Sequence, residues 1–172
     1  AAVTGSPLGR RLSLSSDSEE ATERLGHRLA AVLPPACVVG LCGGLGAGKT
    51  CFTRGLATGL GADPTTVTSP SFVYLVEYPD LKHPLIHADL YRLGGLSGEA
   101  TATALESIGL FAAIGSQAIT AVEWWENYLG PSPQSLVTVE FEIENTEDRS
   151  ISLEFKGRAL ESAAASLKDY GR

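Results

Sequence analysis

One octapeptide constrains this chain more than any other feature. Gly43-Gly44-Leu45-Gly46-Ala47-Gly48-Lys49-Thr50 fits the pattern G-x-x-x-x-G-K-[ST], whose glycines let successive backbone N–H groups turn inward around a phosphate. It follows a short apolar run from Cys37 to Cys42 with two adjacent valines, as expected of a strand buried on both faces. It precedes a helical pattern through Phe52, Leu56 and Leu60 that stops at Gly61. Strand, glycine loop and helix make one parallel α/β unit. The helix starting near Lys49 adds its partial positive end at the loop. In such a loop the lysine is the cation for the outer phosphates, and the following hydroxyl, Thr50, is a ligand for Mg²⁺.

The remaining pattern extends that unit. Ser16-Asp17-Ser18-Glu19 reads as a capping box, and Ala21, Leu25, Leu29 and Leu33 recur every fourth residue, so a helix is predicted up to the Pro34-Pro35 stop. Phe72 to Glu77 is β-branched and aromatic; Leu85 to Ala88 and Ile119 to Val122 are short buried runs that end at Asp89 and Glu123. Residues 98–113 look helical with a break near Gly109. Val137, Val139, Phe141 and Ile143 alternate with polar residues, as do Ile151, Leu153 and Phe155, which predicts a hairpin with one wet face turning at Asn145 to Asp148. A short helix over Ala159 to Leu167 closes the chain. The predicted architecture is a single α/β, P-loop NTPase-like domain over residues 13–172, with a largely parallel central sheet and a C-terminal antiparallel hairpin. Residues 1–12 are expected to form a disordered tail. Residues 1–16, with two arginines, several serines and no acid, also fit a targeting remnant.

Charge narrows the function. Thirteen basic against twenty acidic residues give a net charge of −7, which argues against a stand-alone nucleic-acid binder that must displace counterions from phosphates. No apolar stretch approaches the ~20 residues of a membrane span. Cys37, Cys42 and Cys51 form no Cys-x-x-Cys pair; they read as small buried thiols of a reducing compartment, and a cytoplasmic location is expected.

A phosphate loop needs a carboxylate at the end of a neighbouring strand to complete a Mg²⁺ shell. Asp89 and Glu123 both stand at the carboxyl edge where α/β sheets bind ligands. His87 reads first as a structural histidine, with orientation of Asp89 as its alternative role. Of Trp124 and Trp125, one is expected in the core and one at the site rim. Three functions compete on this loop: an ATPase, a small-molecule kinase, and a nucleotide-gated binding protein with little hydrolysis. Kinases of this size close an arginine-bearing lid over the transferred phosphate. From Leu93 to Asp148 this chain has nine acids and no Lys, Arg or His, which disfavours the kinase.

GGLGAGKT, VTSPSF at 67–72, HADLYRL at 87–93 and VEWWE at 122–126, in that order and spacing, resemble the TsaE (YjeE) family, from about Leu12 to Phe155. The resemblance implies a small Mg²⁺-dependent ATPase that supports formation of threonylcarbamoyladenosine in tRNA, with TsaD and TsaB as partners and tRNA met only through the complex. It implies nucleotide contacts at Gly43, Gly46, Ala47, Gly48, Lys49, Thr50 and Cys51, with Thr22 and Arg149 toward the base. Lys49, Asp89 and Glu123 would be catalytic, and Thr50, Glu123 and Asp89 would hold the metal. Glu123 is expected closer to the ion, and Asp89 to orient water or the switch-like segment Thr68-Ser69-Pro70-Ser71. The chain departs from the family's usual GDLGAGKT at Gly44. It also has Cys51 and Ser71 where threonine is common, and Trp125 where proline often stands.

Overall fold

In the computed structural model, which describes residues 10–70 and 74–169, seven runs become strands: β1 (Arg10–Ser16), β2 (Val38–Cys42), β3 (Leu75–Tyr78), β4 (Leu85–Asp89), β5 (Ile119–Glu123), β6 (Leu136–Ile143) and β7 (Arg149–Lys156). The helices are α1 (Glu19–Val32), α2 (Lys49–Gly59), α3 (Gly98–Ser107), α4 (Leu110–Ile114) and α5 (Glu161–Lys168). All strands join one sheet in the order β1-β7-β6-β2-β5-β4-β3. Its centre, β6-β2-β5-β4, is parallel. The flanks are antiparallel, β3 against β4 on one side and β7 with β1 on the other. This is the predicted α/β architecture.

Alternation along the buried strands sorts side chains between two cores. Val39, Leu41, Leu85, Ile119 and Ala121 face the layer built from α1, α2 and α5, whereas Val38, Ala88 and Val122 meet Leu105 and Leu110 of α3 and α4. Because successive strand residues point to opposite faces, His87, Asp89 and Glu123 fall on the α1/α2 side. Helix α1 lies directly on α2. A Cβ at Gly26 would collide with the Phe52 carbonyl, and one at Gly55 with the Glu23 carbonyl, so only glycine permits this approach. The contact carries the start of α1 to the back of the glycine loop.

The structure corrects the N-terminal region. Arg10 to Leu12, expected in a tail, already belong to β1, which pairs residue by residue with β7. Leu12 and Leu14 pack on the core, while Ser13 and Ser15 are exposed. The rest of that tail, residues 1–9, lies outside the described residues. The N-cap of α1 is Ser18, whose side chain accepts from Ala21 N at 3.2 Å, so the Ser16 capping box does not form. Ser16 is the last residue of β1, and its hydroxyl bonds Thr22 Oγ1 at 2.7 Å. The strand expected from Phe72 is described from Leu75; Ser71 and Phe72 lie outside the described residues. The expected helical break falls at Gly109, which caps α4 at φ 81°.

Candidate functional site

At the carboxyl edge of the parallel strands the loop between β2 and α2 opens a cavity of about 440 Å³. Gly46, Ala47, Gly48, Lys49, Thr50 and Cys51 line it from the loop side, and Ser69, Asp89, Tyr91, Glu123 and Trp124 from the strand ends. Gly46 at φ 74° and Gly48 at φ 107° adopt the left-handed backbone that turns the loop back toward α2. The first residues of α2 thus present their free N–H groups at the cavity.

Lys49 is 5 % exposed. Its ammonium donates to Gly43 O at 2.5 Å and Gly44 O at 2.7 Å and lies 4.1 Å from the centroid of the Trp124 ring, a cation–π distance. Burial pushes its pKa down, opposed by the carboxylates of Glu123, Glu126 and Asp89. The lysine is thus folded onto its own loop, and Gly43 serves as its acceptor beneath the cavity.

The two strand-end acids have different partners. Thr50 Oγ1 donates to Glu123 Oε1 at 2.7 Å. The other oxygen, Oε2, meets His87 Nε2 at 2.6 Å. Asp89 accepts from Tyr91 N at 2.9 Å through Oδ1 and from Ser69 Oγ at 3.0 Å through Oδ2. His87 therefore supports Glu123 rather than its sequence neighbour Asp89. A threonine hydroxyl beside a buried carboxylate, facing a phosphate loop, is a hard-oxygen donor set that fits Mg²⁺.

Trp124 holds a left-handed backbone at φ 58° and stacks at a tilt on Tyr91, 5.0 Å between centroids, walling the cavity. Trp125 packs over Gly40 and stacks on Tyr128 at 4.2 Å, so one tryptophan is at the rim and the other is in the fold. Trp124 is thus the rim tryptophan that the sequence anticipated, whereas Glu19 in the cavity wall was not among the sequence candidates.

Thr22 lies behind the loop rather than in the cavity. It is 3 % exposed, its hydroxyl is engaged with Ser16 and the Ser18 carbonyl, and its methyl stands 3.4 Å from where a Cβ of Gly48 would sit. Arg149 braces the β6–β7 turn through Nη1 on the carbonyls of Asn145, Thr146 and Asp148. Its Nη2 reaches Gly46 O at 3.4 Å. Cys51 donates to Glu19 O at 3.1 Å, and burial pushes its thiol up to about 11, which removes it as a nucleophile.

A sheet with a parallel centre, this loop between β2 and α2, and acids ending β5 beside β2 and β4 beyond it define the P-loop NTPase-like class. The family model described as threonylcarbamoyl adenosine biosynthesis protein TsaE matches residues 16–151. The chain belongs to the TsaE family. It is 32 % identical over 161 residues to the tRNA threonylcarbamoyladenosine biosynthesis protein TsaE of Bacillus subtilis, covering 94 % of this chain and 96 % of that one. To the protein of the same name in Treponema pallidum it is 33 % identical over 138 residues, 80 % of this chain and 96 % of the other. The crystal structure of Bacillus subtilis YdiB superposes with a TM-score of 0.74 at 28 % identity, covering 97 % of this chain and all of that one. Among the described residues no helix is long and apolar enough to cross a membrane.

Proposed function

We propose that this chain binds ATP with Mg²⁺ and hydrolyses it slowly on its own, as the ATPase of the machinery that makes threonylcarbamoyladenosine in tRNA. The observation that carries the proposal is the 2.7 Å bond between Thr50 and Glu123. It joins the phosphate-loop hydroxyl to a strand-end carboxylate beside Lys49. In this reading the loop N–H groups and the N-terminus of α2 cradle the phosphates. Lys49 exchanges the carbonyls of Gly43 and Gly44 for phosphate oxygens. Thr50 and Glu123 hold Mg²⁺, which when bound neutralises charge on the outer phosphates. Asp89 acts elsewhere: through Ser69 it anchors the segment that faces the outer phosphate, and from there it orients the attacking water.

Slow turnover follows from the supply of cations. Among the described residues lining the cavity only Lys49 and Arg54 are basic, and Arg54 lies 3.9 Å from Glu23. Arg149 is engaged with the hairpin turn and the outside of the loop. A further arginine supplied by a partner would raise the rate by ~10³–10⁵. The partners in this reading are TsaD and TsaB; the net charge of −7 leaves tRNA to be bound by them.

The test is phosphate release from ATP by the purified chain, alone and with TsaD and TsaB. Slow release that accelerates with both partners is expected; equal rates overturn the partner dependence. Absence of Mg²⁺-dependent ATP binding to the chain overturns the reading itself. A small-molecule kinase would instead pass the phosphate to added sugars or nucleosides.

A further inference from the structure

We propose that His87 is a positioning residue: its Nε2–H holds one oxygen of Glu123 so that the other faces Thr50 and the Mg²⁺ of a bound nucleotide. The inference rests on the ATP reading above and assigns that site a third participant.

Geometry comes first. Glu123 divides its oxygens, Oε2 to His87 at 2.6 Å and Oε1 to Thr50 at 2.7 Å. With Oε2 pinned, the carboxylate cannot rotate about its terminal torsion, which is otherwise broad. Asp89 does not perform this task, although it lies directly opposite Glu123 in the β4–β5 register. Its own oxygens are engaged with Ser69 and Tyr91.

The burial of His87 argues against a packing role. The ring is 0 % exposed, on the strand face that also carries apolar Leu85, Ile119 and Ala121. Its Nδ1 is a buried atom without a hydrogen-bond partner among the described residues. An apolar side chain would fill this space with no orphaned atom, and buried polar groups are ordinarily paired. What histidine brings beyond an apolar side chain is one directed donor.

The orphan also fixes the tautomer. With the proton on Nε2 the ring donates to the Glu123 carboxyl oxygen and leaves only a bare lone pair at Nδ1. The other neutral tautomer would set a lone pair against Glu123 and bury an unpaired N–H, the rarer and costlier defect. Support of a metal-binding group by a donor behind it is how outer-shell residues tune metal sites. Here the supported group is the carboxylate.

The experiment measures the Mg²⁺ concentration that half-saturates binding of a fluorescent ATP analogue to the full chain, beside its affinity in EDTA. His87→Leu is expected to raise the half-saturating Mg²⁺ about tenfold, the lower end for loss of an outer-shell partner, with affinity in EDTA unchanged. His87→Gln, whose amide N–H can reach toward Oε2, is expected to return to within about threefold of wild type on the same scale. Nitrogen-15 shifts of His87 in the unmutated chain are expected to show the Nε2–H tautomer. The proposal is overturned if His87→Leu folds and keeps the wild-type Mg²⁺ requirement. It is overturned equally if the EDTA affinity falls by the same factor, or if His87→Gln is no better than His87→Leu. Should the leucine variant not fold, His87→Asn, polar but too short to reach, takes its place with the same expected shift. Failure of the wild-type chain to bind the analogue with Mg²⁺ would instead overturn the ATP reading, which separates the two failures.

Discussion

The ends of β4 and β5 look equivalent in sequence and differ in chemistry. Each is a five-residue strand, buried throughout, that ends in a buried acid on the same sheet face. Yet Asp89 is held by a main-chain N–H and a serine of the segment before β3. Glu123 is held by a histidine one strand over and by the phosphate-loop threonine. The shorter acid is tied to a segment, the longer to the loop. Strand position therefore sets only which edge an acid occupies. The neighbouring elements decide what it does there: one acid is bonded to the phosphate-loop threonine and the other to the segment before β3, which in the proposed reading separates a metal ligand from a group that registers the outer phosphate.

The largest effect that would break this division is expected at Glu123. Glu123→Ala removes the partner of Thr50 and the acceptor of His87 together. Mg²⁺-dependent nucleotide affinity should fall by about 100-fold, the upper end for disruption around a metal group, while affinity in EDTA holds. Titration of a fluorescent ATP analogue with and without Mg²⁺ reads this directly. Asp89→Ala should do the converse: affinity for Mg·ATP nearly unchanged and hydrolysis slowed by roughly 10–100-fold, because orientation of water acts in the transition state. Phosphate release at saturating ATP checks it. If the alanine at 89 loses Mg·ATP affinity and the one at 123 keeps it, the two roles are interchanged.

A smaller change sharpens the Asp89 half. Ser69→Ala removes one neutral-to-charged hydrogen bond while leaving Asp89 its Tyr91 donor. A bond of this kind is worth about 1.5 kcal/mol or somewhat more. If that energy is expressed in the transition state, hydrolysis slows by about tenfold, with Mg·ATP affinity unaltered. An unchanged rate would mean that Asp89 acts without the segment.

Much of this site was legible because its signals are local. The glycine loop, the lysine and threonine after it, and an acid closing each apolar run are all set by residues adjacent in sequence. What escaped was set across the sheet. His87 stands two residues from Asp89, so sequence proximity pointed there, whereas the β4–β5 pairing brings Nε2 to Glu123. Thr22 was expected toward the base of the nucleotide; the Gly26–Gly55 helix crossing seats it against Gly48, outside the cavity lining, a placement that depends on two helices far apart in sequence. Strand β1 was missed although Leu12 and Leu14 alternate with serines, because two arginines and a serine-rich composition masked so short a pattern. It becomes a strand only because β7 supplies a partner. The shift of the helix cap from Ser16 to Ser18 has the same cause: β1 claims Ser16 before α1 can.

Arg149 gives the smallest expected effect and limits how far the site extends beyond the strand edge. Its guanidinium touches the phosphate loop only from outside, at Gly46 O and 3.4 Å, which is long for an N–H···O bond. Its other contacts are carbonyls of its own turn. If the strand ends and the loop interior hold the nucleotide, Arg149→Ala should cost less than about 1 kcal/mol of stability, as for an exposed brace. Mg·ATP affinity should then change by less than about threefold, well below the effect expected at Glu123. Thermal unfolding and the same nucleotide titration measure both. A loss of tenfold or more in affinity, with stability intact, would put the hairpin turn in contact with the nucleotide. The site would then have a second wall on the antiparallel flank of the sheet, and the contrast between two strand ends would no longer account for binding.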